Sequence, residues 1–140
     1  MICAIPERRL GLKIGLNTSA VGKPHAIVVD NHGRRYAAER RITKDPSRYI
    51  FYKEALQFDT VTLTYPRLPS WMIFDPTLMN NGALVNASTA SYNGIDWDQG
   101  NQNALRNGWI VQGATLAELA ANIRAHPDNR AAVEVPLETA

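Results

Sequence analysis

The chain's hydrophobic pattern is uneven, and the clear stretches lie at its centre and near its C-terminal end. Leu10, Leu12, Ile14 and Leu16 alternate with Gly11, Lys13, Gly15 and Asn17. That is a strand pattern weakened by its glycines. The apolar run after His25 is β-branched, Asn31-His32-Gly33 reads as a turn needing positive φ at glycine, and 34–39 returns. Together these predict a β-hairpin over 25–39. Asp45-Pro46 has the form of a helix start, with Tyr49, Tyr52, Lys53 and Leu56 at helical spacing, so a helix is expected at about 46–57. Residues 58–65 read as an edge strand or extended loop ended by Pro66 and Pro69, and 71–75 as a short strand with a helical turn from Pro76.

Residues 80–103, rich in Asn, Ser, Gly and Thr, read as a long loop of low regular content. A short helix is expected over 101–107 with Gly108 as its C′ residue, then a short strand at 109–112. Thr115 and Glu118 form a capping box, and Leu116, Leu119, Ala120 and Ile123 fall on one face of a helix that Pro127 ends. A further short strand is expected at 133–137, in what reads as a tail. Trp71, Phe74 and Trp109 are expected in the core. The fold class expected is α+β: a small mixed or antiparallel sheet with a β-hairpin and two to four helices.

Length fits one domain, since 140 residues are enough for a core and too few for two. The net charge of +2 is unremarkable, but its distribution is not: residues 1–70 hold 12 Lys/Arg against 6 Asp/Glu, and residues 71–140 hold 3 against 7. The basic pairs Arg8-Arg9, Arg34-Arg35 and Arg40-Arg41 carry no nucleic-acid motif and no interleaved aromatics, so nucleic acid is not an expected partner. The single cysteine, Cys3, excludes a disulfide within the chain and a cysteine-based zinc site, and His25, His32 and His126 lack metal-ligand spacing. No apolar run approaches a membrane span and the N-terminal run lacks the form of a signal peptide, so the expected location is cytoplasmic with no membrane partner.

Three segments, residues 26–39 (AIVVDNHGRRYAAE), 68–75 (LPSWMIFD) and Trp97 through Ala120, resemble in order and spacing those of FAD-dependent oxidoreductases of the fumarate reductase and 3-ketosteroid dehydrogenase family. Residues 26–39, AIVVDNHGRRYAAE, resemble the family's hydrophobic run followed by G-R-R-F-x-N-E. Residues 68–75, LPSWMIFD, resemble P-x-W-x-I/V-F-D, and Trp97 through Ala120 resemble W-x-x-D-N followed by G-W-I-x-x-A-D-T-L-E-E-L-A. The resemblance implies a substrate-capping domain over 24–125, an irregular lead-in at 1–23 from a missing FAD-binding part, and a tail at 126–140. The dinucleotide fingerprint G-x-G-x-x-G is absent from the chain, so FAD is the implied cofactor but is not expected to bind this chain alone.

The implied activity is oxidation or reduction across a CH–CH bond of a ketone, steroid or carboxylate substrate, with a separately encoded FAD-binding part as a partner. The alternative is a non-catalytic α+β binding module that reuses the cap. By resemblance Glu39 belongs to a proton-delivery path, with Arg41 and Lys44 binding a substrate carboxylate or transferring protons. The plain alternative for Glu39 is a structural ion pair with Arg34, Arg35 or Arg41. Gly33, Arg34 and Arg35 are the implied cofactor contacts, although their plainer reading is fold-determining, with Gly33 answering the turn geometry. Tyr92 and Trp97 are candidates to line the substrate pocket or to pack the loop. Thr43 stands where the ketosteroid enzymes carry a tyrosine, which weighs against steroid 1-dehydrogenation.

Overall fold

The fold is α+β in a computed structural model, which describes residues 2–9, 12–18, 20–39, 53–127 and 129; among these residues lie two two-stranded antiparallel sheets, four short helices given in full, and a helical piece at 53–55. The first sheet pairs β1 (Ile2–Arg9) with β2 (Leu12–Asn17). The alternation read at 10–16 is therefore a strand, but the segment before it, expected to be irregular, is its partner. Ala4 faces Gly15 while Arg8 faces Lys13, so β1 spends two extra residues between those pairs. Pro6 lies in that irregularity, where its missing N–H removes no ladder bond.

β3 (Ala26–Val29) pairs with β4 (Trp71–Phe74), Ala26 facing Phe74 and Val29 facing Trp71. The hairpin expected over 25–39 is thus corrected. Its turn forms, with Gly33 at φ 70 and its N–H donating to the Asp30 carbonyl. The return arm makes one bridge, Val29 to Arg35, and then departs. What displaces it is a side chain: the Glu39 carboxylate takes the Val28 N–H that a continuing ladder would have used. β4 pairs along the opposite edge of β3, where Val29 faces Trp71.

α1 (Pro76–Met79) starts as its Asp-Pro sequence predicts, with the Asp75 carboxylate accepting from the Thr77 and Leu78 N–H groups. α2 (Ala87–Tyr92) falls inside the stretch read as loop, capped by Asn86 and seated by the fully buried Ala90. α3 (Gln102–Arg106) ends at Asn107, followed by Gly108 at φ 71, the expected C′ glycine. The strand expected at 109–112 is not formed.

α4 (Leu116–Ala125) carries the expected cap, Thr115 Oγ1 accepting the Glu118 N–H. Glu118 answers one residue earlier than a strict capping box, accepting from the Ala114 N–H. Its apolar face is narrower than the sequence implies: Leu116 is 52% exposed, while Leu119 and Ala120 pack around Val29 and the buried Ile123. His126, before Pro127, is extended, which ends the helix.

The main core joins Leu16 of β2 to Ala20, Leu78, Leu84, Val85, Ala90, Ile95, Trp97 and Ala104. Trp71, Phe74 and Trp109 are partly buried against the core clusters rather than sealed within them. Residues 53–55 are helical and Ala55 packs with Val21 and Val28, while the earlier part of the helix expected at 46–57 and the strand expected at 133–137 lie outside the described residues.

Candidate functional site

The segments carrying the family resemblance converge. β3 and β4 lie side by side, α4 packs its Ile123 on Val29, and the 30–39 segment closes over the end of β3. Glu39 sits at the centre of this junction and is only 3% exposed. Its Oε1 accepts the Val28 N–H at 2.7 Å and its Oε2 accepts Arg35 Nη2 at 2.5 Å. Burial pushes the Glu39 carboxyl up, but the Arg35 hydrogen bond and the backbone N–H groups outweigh it, so the group rests below the ordinary glutamate range. Arg35 is raised in return by its bond to Glu39. With both oxygens engaged and its charge stabilised, Glu39 in this arrangement is a strut between β3 and the 34–39 arm; a proton relay needs an oxygen free to accept and release a proton.

The turn preceding it has already used its anion-binding capacity. Asp30 Oδ1 accepts from the His32 N–H at 2.8 Å and from the Arg34 N–H at 2.9 Å, while the Gly33 N–H is held by the Asp30 carbonyl. Such converging amides form a cradle for a phosphate in other settings. Here the chain's own carboxylate fills it, and Arg35 is committed to Glu39. The Gly33 turn therefore does not fit a flavin phosphate; the exposed Arg34 and Arg35 side chains stand outside it, Arg35 with its Nη2 held by Glu39. The described strands pair only antiparallel, so no parallel-sheet nucleotide crevice forms among them either. Arg41 and Lys44 lie outside the described residues.

Tyr92 and Trp97 are not brought to a common pocket. Tyr92, at the end of α2, is 92% exposed. Trp97 is buried and stacks on Trp109 with ring centroids 5.6 Å apart. One edge of Trp97, with Ser91 and Asp96, borders a shallow depression of about 380 Å³ that Tyr92 does not line.

The residue that organises this region is Asn101, which the sequence reading placed only at the start of a short helix. It is fully buried at φ 58. Its Oδ1 accepts from the Leu84 N–H and Trp97 Nε1–H, and its Nδ2 donates to the Met79 and Gly82 carbonyls. All the hydrogen-bonding capacity of its amide is used on four points of a loop that is otherwise short of backbone partners. An asparagine four residues after a tryptophan, just before a helix, is the signal available in the sequence.

No family model, curated protein or solved structure compared with the chain matches it significantly. Among the described residues no cluster of three or more His, Cys, Asp or Glu suits a metal ion, and no helix is long and apolar enough to cross a membrane.

Proposed function

We propose that the chain is the substrate-capping portion of an FAD-dependent oxidoreductase of the fumarate reductase and 3-ketosteroid dehydrogenase kind, acting on a CH–CH bond of a ketone, steroid or carboxylate substrate. One observation supports this above others: the resembling segments, far apart in sequence, form one packed unit in which β3 pairs with β4 and α4 lies against both. The chain's share is to cover the substrate and exclude water. FAD would be held by a separate FAD-binding part, because the turn at Gly33 is filled by Asp30. Glu39 then acts by holding the junction rigid, and substrate charge and proton handling fall to Arg41 and Lys44, as the resemblance assigns them.

The test is reconstitution. The chain is expected to purify without flavin, to co-purify with a protein bearing G-x-G-x-x-G, and to give that pair dye-coupled activity on an enone or dicarboxylate. Stoichiometric FAD on the chain alone, or an equally active flavoprotein without it, would overturn the reading.

A further inference from the structure

His25 and Asp75 stand opposite one another where the β3–β4 ladder ends. Ala26 faces Phe74, so the next residues outward, His25 and Asp75, are cross-strand neighbours, and the Asp75 N–H donates to the His25 carbonyl. His25 Nδ1 lies 2.8 Å from Asp75 Oδ2. The other carboxylate oxygen, Oδ1, is committed to the Thr77 and Leu78 N–H groups at the start of α1. Asp75 is therefore fixed in place by backbone it caps. Burial raises the Asp75 carboxyl, but the His25 bond and these amides outweigh that and hold it below the ordinary aspartate range.

In the neutral ring the Asp75 carboxylate can only accept, so Nδ1 carries the proton and Nε2 is the acceptor. Nε2 has no hydrogen-bond partner among the described residues. His25 also holds a left-handed φ of 69, uncommon for a non-glycine residue.

Both residues line an open depression of about 520 Å³. Its lining includes the apolar side chains of Ile27, Ile73, Phe74 and Leu119, and residues 113–116 leading into α4. Nothing on that stretch invites an anion. Thr115 Oγ1 already accepts the Glu118 N–H, and the Glu118 carboxylate bonds the Ala114 N–H beside the depression. Asp75 in the lining and the Glu118 carboxylate on the adjoining Ala114 N–H oppose a further carboxylate, and His25 contributes an imidazole to a largely apolar lining.

We propose that His25 and Asp75 form the polar end of a binding site for a small, neutral, apolar molecule bearing a hydroxyl group, which donates to His25 Nε2 while its body covers Ile73 and Leu119. The site stands on this chain's geometry alone and does not depend on the flavoenzyme reading. It went unnoticed in the sequence because His25 and Asp75 are 50 positions apart and only the β3–β4 register joins them.

The full chain, labelled with ¹⁵N and methyl ¹³C, is titrated with 2-naphthol and followed by NMR. The neutral His25 ring is expected as the Nδ1–H tautomer. 2-Naphthol is expected to shift His25 Nε2 and the Ile73 and Leu119 methyls saturably. 2-Methoxynaphthalene, which keeps the apolar body but cannot donate, should bind about tenfold more weakly, the worth of one good hydrogen bond. 2-Naphthoate should also bind more weakly than 2-naphthol. His25→Asn, which tolerates positive φ, should bring 2-naphthol down to the level of the methyl ether. An Nε2–H tautomer, equal binding of the alcohol and its ether, or shifts that miss these residues would each overturn the proposal, and the ether comparison decides it even if the variant fails to fold.

Discussion

A Cβ built on Gly113 would lie 2.3 Å from the backbone nitrogen of Leu119 and 2.7 Å from its Cα. The obstruction is backbone rather than a flexible side chain, so the chain leading into α4 runs against the helix's own first turns with no room to yield. Gly113→Ala is expected to push α4 off Val29 and to destabilise the protein by about 1–3 kcal/mol, the usual cost of forcing extra volume into a packed contact. Gly108→Ala meets no atom within 4 Å but must keep φ 71, so its cost is purely conformational. Urea melts of the two variants measure the difference, and equal midpoints would contradict the packing argument.

Glu39 links a pH dependence to folding. Its folded value lies below its ordinary value of 4.5, so its contribution is fully present above that value and is lost as pH falls through the lower, folded value. Stability should therefore drop on acidification below about pH 4.5. Glu39→Gln keeps an acceptor for the Val28 N–H and should flatten that acid limb. Glu39→Ala leaves the Val28 N–H buried without its partner and should cost about 1–3 kcal/mol at neutral pH. Denaturant midpoints of the three proteins across the acid range check both the sign and the order.

The cap of α4 can be isolated from its packing. Thr115→Ala removes the acceptor of the Glu118 N–H and should cost about 1 kcal/mol, while Thr115→Ser or Thr115→Asp should restore most of it. Amide exchange across the first turn of α4 is the direct readout. Unchanged protection in Thr115→Ala would show that docking on Val29, not the cap, holds the turn.

Elements whose ends are chemically marked were legible in the sequence: Asp75-Pro76 opens α1, Thr115 opens α4 and Gly108 closes α3. What local pattern does not carry is partnership. The Gly33 turn is readable, but nothing near it shows that the 34–39 arm leaves β3 after one bridge, which depends on Glu39 reaching Val28, or that β4 takes the other edge. α2 escaped notice because ASTASY has no apolar stripe; one buried alanine, Ala90, seats it. At the candidate site the sequence leaves open both the Glu39–Arg35 pair and the packing of Trp97, but it does not show what lets an indole be buried in so polar a stretch. That burial follows from a single asparagine supplying an acceptor for its indole N–H.

Asn101 is accordingly the residue whose loss should do most damage for its size. Replacing it by alanine leaves the Leu84 N–H and the Trp97 Nε1–H without an acceptor, and the Met79 and Gly82 carbonyls without a donor. It also forces an alanine to hold φ 58. Two orphaned donors in the main core, plus the conformational strain, predict a loss of about 3–5 kcal/mol, a size reached only when a buried network is broken. Asn101→Asp separates the contributions. It tolerates the left-handed backbone and keeps both acceptor bonds, but it cannot donate to the two carbonyls and buries a charge against them. Asn101→Gly keeps the backbone and loses all four bonds. Because Trp97 stacks on Trp109, near-ultraviolet dichroism reports the network directly. The tryptophan band should collapse in Asn101→Ala and Asn101→Gly alike; if glycine retained it, backbone strain rather than the four hydrogen bonds would be the cause.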